Sequence, residues 1–513
     1  MRIRSIINGM EKQKPKEIVG FFLLGISLLL LGKMVSLCFS ADIWYDEVFS
    51  VKMISGSYGD ILRFTAKDVH PPFYYWYLKG FVQTGSLLLG GWTRESVVIL
   101  AKLASVLPMA GIWLLAAVKV RKRFGLFVAG LFSFCVCTMP QLTAYGMEIR
   151  MYSLALFLVT LAFFFAYDIC VTNNPLAFLG LFLCGLCIAY TQYFSCLGII
   201  LLYLAVGWFV RRDKNALKKW GLCVGLSVLA YLPWIGILIR QFTQVKGNYW
   251  IEPLTWKSLA GCIKYIYLPS GGYPRLNYVL AAVFILTTLL LAGLFLTKKI
   301  REGAVLENEG IALVLSWGML GGVILLGVGI SILISPIFVY RYMIPFLGSF
   351  WFVFALLTHG CDRRSLWLFV CILTVFMGYI NVKGAFWEEG NKQEHMEDTL
   401  LGLEQIGQED ILIFNFNHVQ AVVGYYQENE SYLLYQEPEA LLHQLYSNFK
   451  MLEDEAQIEN LFSEKKNGQV WFLGSFNSRE EIVEKWRSMG FSVTEKGSFL
   501  LERYWFNLYY IEK

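Results

Sequence analysis

The chain has 513 residues, of which 56% are hydrophobic, 16% aromatic and only 16% charged, with a formal net charge of +5. Soluble domains carry about 25% charged residues, so this balance and a mean hydropathy of +0.52 exclude an ordinary soluble enzyme. They give a polytopic α-helical membrane protein, and the small positive charge forms no basic stripe of the kind that binds nucleic acid.

In chain order, the start MRIRSIINGMEKQKPKE is polar and basic. It leads into a span-length run without a small-residue cleavage site, so no cleavable signal peptide is expected. Apolar runs long enough to cross a bilayer follow at 18–40, 96–119, 124–140, 152–171, 176–191, 193–211, 217–239, 276–297, 310–334, 342–358 and 365–383. The eleven cysteines lie almost wholly in such runs, none after Cys371. They read as small hydrophobes, neither a disulfide framework nor a metal site.

The stretch 73–91, FYYWYLKGFVQTGSLLLGG, is ambiguous, because Lys79, Gln83 and several glycines interrupt it. Loop charge decides it. Basic clusters lie at the N-terminus, 118–125, 211–220, 297–302 and 361–365, and basic loops stay cytoplasmic. All five fall on one side only if 73–91 does not cross, so it is expected to lie in the outer interface, where its Tyr and Trp residues fit. About eleven crossings result, with the N-terminus cytoplasmic in the plasma membrane. Segments 41–95, 141–151, the turn near 192, 240–275, 335–341 and the tail then share the outer face.

Domain expectations follow: 1–383 as a transmembrane catalytic domain, with 41–95 as a first outer loop carrying interfacial helices, and 384–513 as a small extracytoplasmic α/β domain. In that tail 410–416, 431–435, 469–475 and 491–497 read as strands, and 438–449 and 478–490 as helices.

Charge is costly near a membrane, so its placement is informative. Asp46, Glu47, Asp68, His70, Glu148, Arg150, Gln192, Arg240, Glu252, Lys264, Arg275 and Arg341 all fall outside or at the outer interface. The spans are nearly free of ionisable residues, Lys33 being the main exception. In IWYDEVFSV (43–51), Asp46 has the chemistry to take a proton from a sugar hydroxyl; alone, the pair also fits a loop leaving a span. In DVHPPFYYW (68–76), two prolines open a helix and leave His70 just ahead of it. That histidine suits a phosphate, a carboxylate or simple packing among aromatics. QLTAYGMEIRMYSL (141–154) places Glu148, Arg150 and Tyr152 at the mouth of a span, and VYRYMIPF (339–346) places Arg341 at another. Arginine's planar fork suits a phosphate, while a local ion pair or a membrane anchor are the plainer readings. The aromatic loop of 231–253 is suited to stack on a sugar or to sit among headgroups.

Together, and in this order, the DE pair, HPPFYYW, YGMEIRMYSL, YTQYF, LPW…YWIEP and RYMIP resemble bacterial glycosyltransferase family 39 and its relatives. This is the GT-C superfamily, which includes the protein O-mannosyltransferases and the lipid A aminoarabinose transferase. The resemblance covers about 40–350. It implies a GT-C membrane fold and transfer of a hexose or pentose from a polyprenyl-phosphate carrier, with inversion, to an envelope acceptor: a glycolipid, a wall polysaccharide or a protein. By the same resemblance Asp46 is the catalytic base and Glu47 its partner. His70, Glu148, Arg150, Tyr152, Gln192, Tyr193, Trp250, Arg341 and Tyr342 bind the donor's phosphate and sugar. One departure is that Gln192 stands where the family's histidine is usual, which removes a cation or metal ligand there. No cofactor is implied with certainty; a divalent ion on Asp46 and Glu148 is the one metal arrangement in view, and Arg150 and Arg341 supply positive charge without it. Two rival readings are a flippase or transporter of lipid-linked sugars, which would favour midplane charges and repeated halves, and a GT-C-like polysaccharide ligase or polymerase.

Overall fold

The computed structural model describes residues 2–89, 91–245, 251–303, 308–434, 442–464 and 468–513. All eleven apolar runs are helical. Among the described residues nine helices are long and apolar enough to cross a membrane: Lys14–Leu37, Arg94–Phe124, Tyr152–Thr172, Tyr193–Val210, Lys214–Gln244, Pro274–Arg301, Glu309–Leu333, Tyr340–His359 and Arg364–Leu403. The shorter apolar helices Leu126–Thr138 and Pro175–Ala189 account for the other two runs. Helices suit this environment because each satisfies its own backbone hydrogen bonds. Leu29, Leu176 and Ile372 leave 75%, 73% and 68% of their surface uncovered, which suits contact with lipid. The ambiguous segment is the 17-residue helix Phe73–Leu89, which is not among the nine.

Contacts divide the chain into two compact units: Met1–Ser36, Asp68–Tyr74 and Leu103–Phe386 form one, and Leu37–Lys67, Tyr75–Lys102 and Trp387–Lys513 the other. The first has an aromatic centre around Phe352, whose ring meets Phe124, Phe132, Phe163 and Phe164 at 4.8–5.7 Å. Its helices also approach closely. A Cβ on Gly130 would lie 2.0 Å from the carbonyl oxygen of Gly20, so small residues are required where the first helix crosses Leu126–Thr138. Ser27 and Ser133 join hydroxyls at 3.0 Å along the same seam.

The second unit contains a six-stranded sheet of order β3-β2-β1-β4-β6-β5. Its strands are β1 Ile411–Phe414, β2 Glu430–Leu434, β3 Phe449–Leu452, β4 Val470–Ser475, β5 Ser492–Leu501 and β6 Tyr504–Glu512. The first four run parallel, with Ile411 opposite both Glu430 and Val470. β6 runs antiparallel to β4 and β5 to β6. β1 and β4 are buried along their whole length, as parallel strands covered on both faces are. Ile413, Phe472 and the fully buried Trp486 lie in the resulting core.

All four expected strands are present, but three readings of the tail need correction. The helix that carries the last span does not stop near 383 but continues unbroken to Leu403, through a stretch that includes four Glu and three Leu residues of good helix propensity. Of the expected helix 438–449, residues 438–441 lie outside the described residues, His443–Leu445 is a single 3-10 turn, and Phe449 opens strand β3, an edge strand whose Lys450 and Met451 are exposed. β6 was not anticipated either, because its aromatic run YWFNLYYIE does not alternate cleanly.

Candidate functional site

In the first unit, the loop between helices Leu126–Thr138 and Tyr152–Thr172 is held at its start by Asn381. The Asn381 amide donates to the carbonyls of Thr138 at 3.0 Å and Met139 at 3.2 Å. The loop then folds tightly, the Arg150 N–H donating to the Glu148 carbonyl at 2.7 Å. This turn buries Arg150 to 4% exposure and Tyr152 to 0%. A buried guanidinium needs negative charge or an anion close by, because an uncompensated buried charge costs several kcal/mol, on the order of 3–5.

A nearby carboxylate answers part of that need. Asp68, from the HPP segment, lies within electrostatic reach of Arg150. Burial alone would raise the Asp68 carboxyl. The His70 imidazole beside it, hydrogen bonds from His70 and the Val69 backbone, and Arg150 hold it below the ordinary carboxylate value. His70 Nδ1 lies 2.9 Å from Asp68 Oδ2. Two prolines follow, the helix starts at Phe73, and the Phe73 N–H donates to the Tyr190 carbonyl at 2.9 Å. This bond ties the HPP segment to the Tyr190–Tyr193 stretch.

Arg341 adds to the need, because it brings a further positive charge to the same place. Its guanidinium carbon lies 6.0 Å from the centre of the Tyr152 ring, and both Arg341 and Arg150 act on the Tyr152 hydroxyl. That hydroxyl is buried and has no hydrogen-bond partner among the described residues. The Tyr145 ring packs edge-on to Tyr152 at 5.0 Å. Tyr265 lies within electrostatic reach of Tyr145 and Tyr152, and burial above all pushes its phenol well above the ordinary value. It is therefore a neutral hydroxyl at working pH.

Gln192 and Tyr193 are fixed differently. Gln192 Oε1 accepts from the Ser195 hydroxyl, while its Nε2 is buried without a partner among the described residues. The Tyr193 hydroxyl donates to Gln241 and accepts from Trp234 Nε1 at 2.9 Å, and Asp68 acts on it electrostatically. Tyr342 stacks on Phe194, 4.8 Å between ring centres. Thus His70, Glu148, Arg150, Tyr152, Gln192, Tyr193, Arg341 and Tyr342 all belong to one unit. Among them Arg150, Tyr152 and Arg341 form a connected group, joined by Asp68 and the tyrosines 145 and 265. Trp250 lies outside the described residues. A cavity of about 560 Å3 also exists at the opposite ends of these helices, lined by Arg123, Lys298, His359 and Arg363 among others, and no candidate residue lines it.

Asp46 and Glu47 belong to the second unit. Both sit in the first turn of helix Tyr45–Met53, where the partial positive charge of a helix N-terminus favours carboxylates. Glu47 is buried, and its Oε2 accepts from the Trp44 N–H at 3.2 Å, so it caps its own helix. Asp46 is partly exposed. Behind them lies a cluster that the sequence reading passed over. Lys102, 2% exposed, meets Asp42 Oδ1 at 2.5 Å, Ser40 Oγ at 3.0 Å and Glu389 Oε1 at 3.3 Å. Glu47 acts on both Lys102 and Lys392. The signal was available: Lys102 interrupts the apolar run 96–119, and an ionisable residue within a span calls for a partner.

No three or more His, Cys, Asp or Glu residues are grouped to hold a metal ion among the described residues. No step below is routed through a divalent ion.

These helices, the first-loop segments and the terminal sheet define a polytopic membrane fold. Two solved structures of ArnT from Cupriavidus metallidurans share it. One is bound to undecaprenyl phosphate (TM-score 0.60) and one is in the apo state (TM-score 0.59). Each is 12% identical and covers 96% of this chain and 97% of its own. No protein-family model and no curated protein sequence matches the chain.

Proposed function

We propose that the chain is an inverting glycosyltransferase that moves a sugar from a polyprenyl-phosphate carrier to an acceptor of the cell envelope. The observation that carries this reading is the buried Tyr152 hydroxyl, lacking a partner among the described residues and within electrostatic reach of two guanidiniums. Two cations and a neutral donor converging in a membrane protein suit a phosphate monoanion or dianion. The ArnT structure bound to undecaprenyl phosphate, with the same fold, supports a lipid phosphate as that anion.

In the reaction the acceptor hydroxyl oxygen attacks the anomeric carbon from the face opposite the phosphate. The bond from that carbon to the phosphate oxygen breaks, and polyprenyl phosphate leaves with the electron pair. Asp46 takes the acceptor's proton. Negative charge grows on the leaving phosphate, where Arg150, Arg341 and the Tyr152 hydroxyl stabilise it. Glu47 holds the helix that carries Asp46. Asp68 keeps His70 and Arg150 oriented, and as a carboxylate it limits the positive charge of the site. The basic loops support a reading in which this chemistry lies on the outer face of the plasma membrane, with the N-terminus cytoplasmic and the terminal α/β domain outside. The sugar, hexose or pentose, and the acceptor follow from the products.

The test is turnover by the purified full chain in lipid vesicles, supplied with polyprenyl-phosphate sugars and envelope extracts as acceptors. Asp46→Asn is expected to express normally and to abolish transfer; near-normal turnover by this variant contradicts the assignment of the base. In cells, loss of the chain is expected to accumulate one polyprenyl-phosphate sugar, which mass spectrometry would name.

A further inference from the structure

The first-loop helix that carries Asp46 is held by the terminal sheet domain at three places, all within the second compact unit. The Tyr426 hydroxyl donates to the Ala41 carbonyl just before the helix. Lys52, near its end, lies 4.0 Å from the centre of the Tyr446 ring. Between them, the Tyr45 N–H donates to Glu502 Oε1 at 2.8 Å. Tyr45 is the residue directly before Asp46 and the first of the helix, where N–H groups have no partner within the helix itself. A residue 457 positions away supplies one.

Glu502 and His418 act together in this contact. Glu502 lies in the tight turn between β5 and β6 at φ +55°, a conformation uncommon for a residue with a side chain. Its carboxylate is mostly buried, and its Oε2 lies 3.4 Å from His418 Nδ1. The His418 ring is sandwiched: it stacks on Tyr45 at 4.2 Å and 13° and on Phe416 at 4.9 Å and 6°. Tyr504 closes the group edge-on to both Phe416 and His418.

The position of this group in the sheet is informative. Strand order reverses at β1, which lies between β2 and β4, and Phe416 and His418 follow the carboxyl end of β1. In open α/β sheets that point is where ligands bind. Here the ring stacked there is the chain's own Tyr45. We infer that the terminal domain uses its ligand-binding position to hold the catalytic loop, with Glu502 and His418 as positioning residues that set Asp46 for proton transfer. The inference rests on the reading of Asp46 as the base. It gives the tail a defined task and predicts that damage to it appears in the chemical step.

The experiment compares kcat, donor KM and thermal melting of the full-length protein with its Glu502→Ala, Glu502→Gln and His418→Ala variants, alongside Asp46→Asn. A misplacement of about 1 Å at a reacting group costs roughly 100-fold in rate. Glu502→Ala is therefore expected to lower kcat by about 10- to 100-fold, with donor KM unchanged. Glu502→Gln retains an oxygen that accepts from the Tyr45 N–H, so it should rescue most of the rate. His418→Ala keeps that bond but loses the stack, and should fall between them with the melting temperature nearly unchanged. Normal kcat in both alanine variants overturns the inference, as does equal loss in Glu502→Ala and Glu502→Gln that tracks the loss of folded protein. The two levels separate cleanly. If Asp46→Asn remains active, the reading of the base fails. If Asp46→Asn is dead while the alanine variants are normal, only the positioning role fails.

Discussion

Replacing Tyr152 by phenylalanine separates a binding role from a structural one, because the two predict opposite signs. The hydroxyl is fully buried and has no hydrogen-bond partner among the described residues. Leaving such a group unsatisfied costs about 1–3 kcal/mol of folding free energy, while the ring itself packs against Tyr145. Tyr152→Phe keeps the ring and removes only the unsatisfied group, so stability in detergent should stay the same or rise. With a lipid phosphate bound, the same hydroxyl becomes a donor to a charged acceptor beside Arg150 and Arg341. Hydrogen bonds to charged groups contribute roughly 1.5–3 kcal/mol, and each ~1.4 kcal/mol is a factor of ten. Phosphate affinity should therefore fall by about tenfold or more. The assay pairs a thermal melt with a titration of polyprenyl phosphate on one preparation of each protein. A variant that melts lower and binds the lipid phosphate as tightly as the unchanged protein refutes the reasoning.

Two further outcomes come from charge placement. Lys102→Met leaves Asp42 and Glu389 buried together without their shared cation, and breaking a buried ion pair from one side costs about 3–5 kcal/mol. A large drop in melting temperature is expected, partly restored when Asp42→Asn is added; no change would show that the cluster contributes nothing to folding. Asp68 has a folded-state pKa below its ordinary value of 3.8, so its contribution is fully present above 3.8 and is lost as pH falls through the lowered value. The melting-temperature gap between the unchanged protein and Asp68→Asn should not close between neutral pH and 3.8 and should be lost only below it. A gap that closes above that point contradicts the sign.

The spans were legible in the sequence because a bilayer demands long apolar helices, and loop charge supplies the expectation that the one doubtful segment does not cross. The arginines were legible for a related reason. Arg150 and Arg341 each stand at a span end, where a charge without a purpose is costly, and the fold joins them through Tyr152. Three things were hidden. Asp68 looked like an ordinary loop acid until its contact with His70 appeared, since that pairing depends on the backbone turn before the two prolines. The Asp42–Lys102–Glu389 cluster joins residues far apart in the chain, and no local pattern encodes such a meeting. Glu502 likewise reads as a surface turn residue; only the folded sheet brings it to Tyr45. Within the tail, fully buried β1 and β4 were plain from their apolar runs, whereas β3, an edge strand with two exposed residues, offers little pattern to read.

The central claim, that a lipid phosphate is held at the paired arginines, is tested most directly by titrating undecaprenyl phosphate into the purified protein and its Arg341→Ala and Arg341→Lys variants. Loss of a charge-assisted bond of roughly 1.5–3 kcal/mol predicts that Arg341→Ala weakens binding by at least about tenfold. Arg341→Lys should recover part of it, because the charge remains while the planar fork is lost. Equal affinity in all three proteins would contradict the claim.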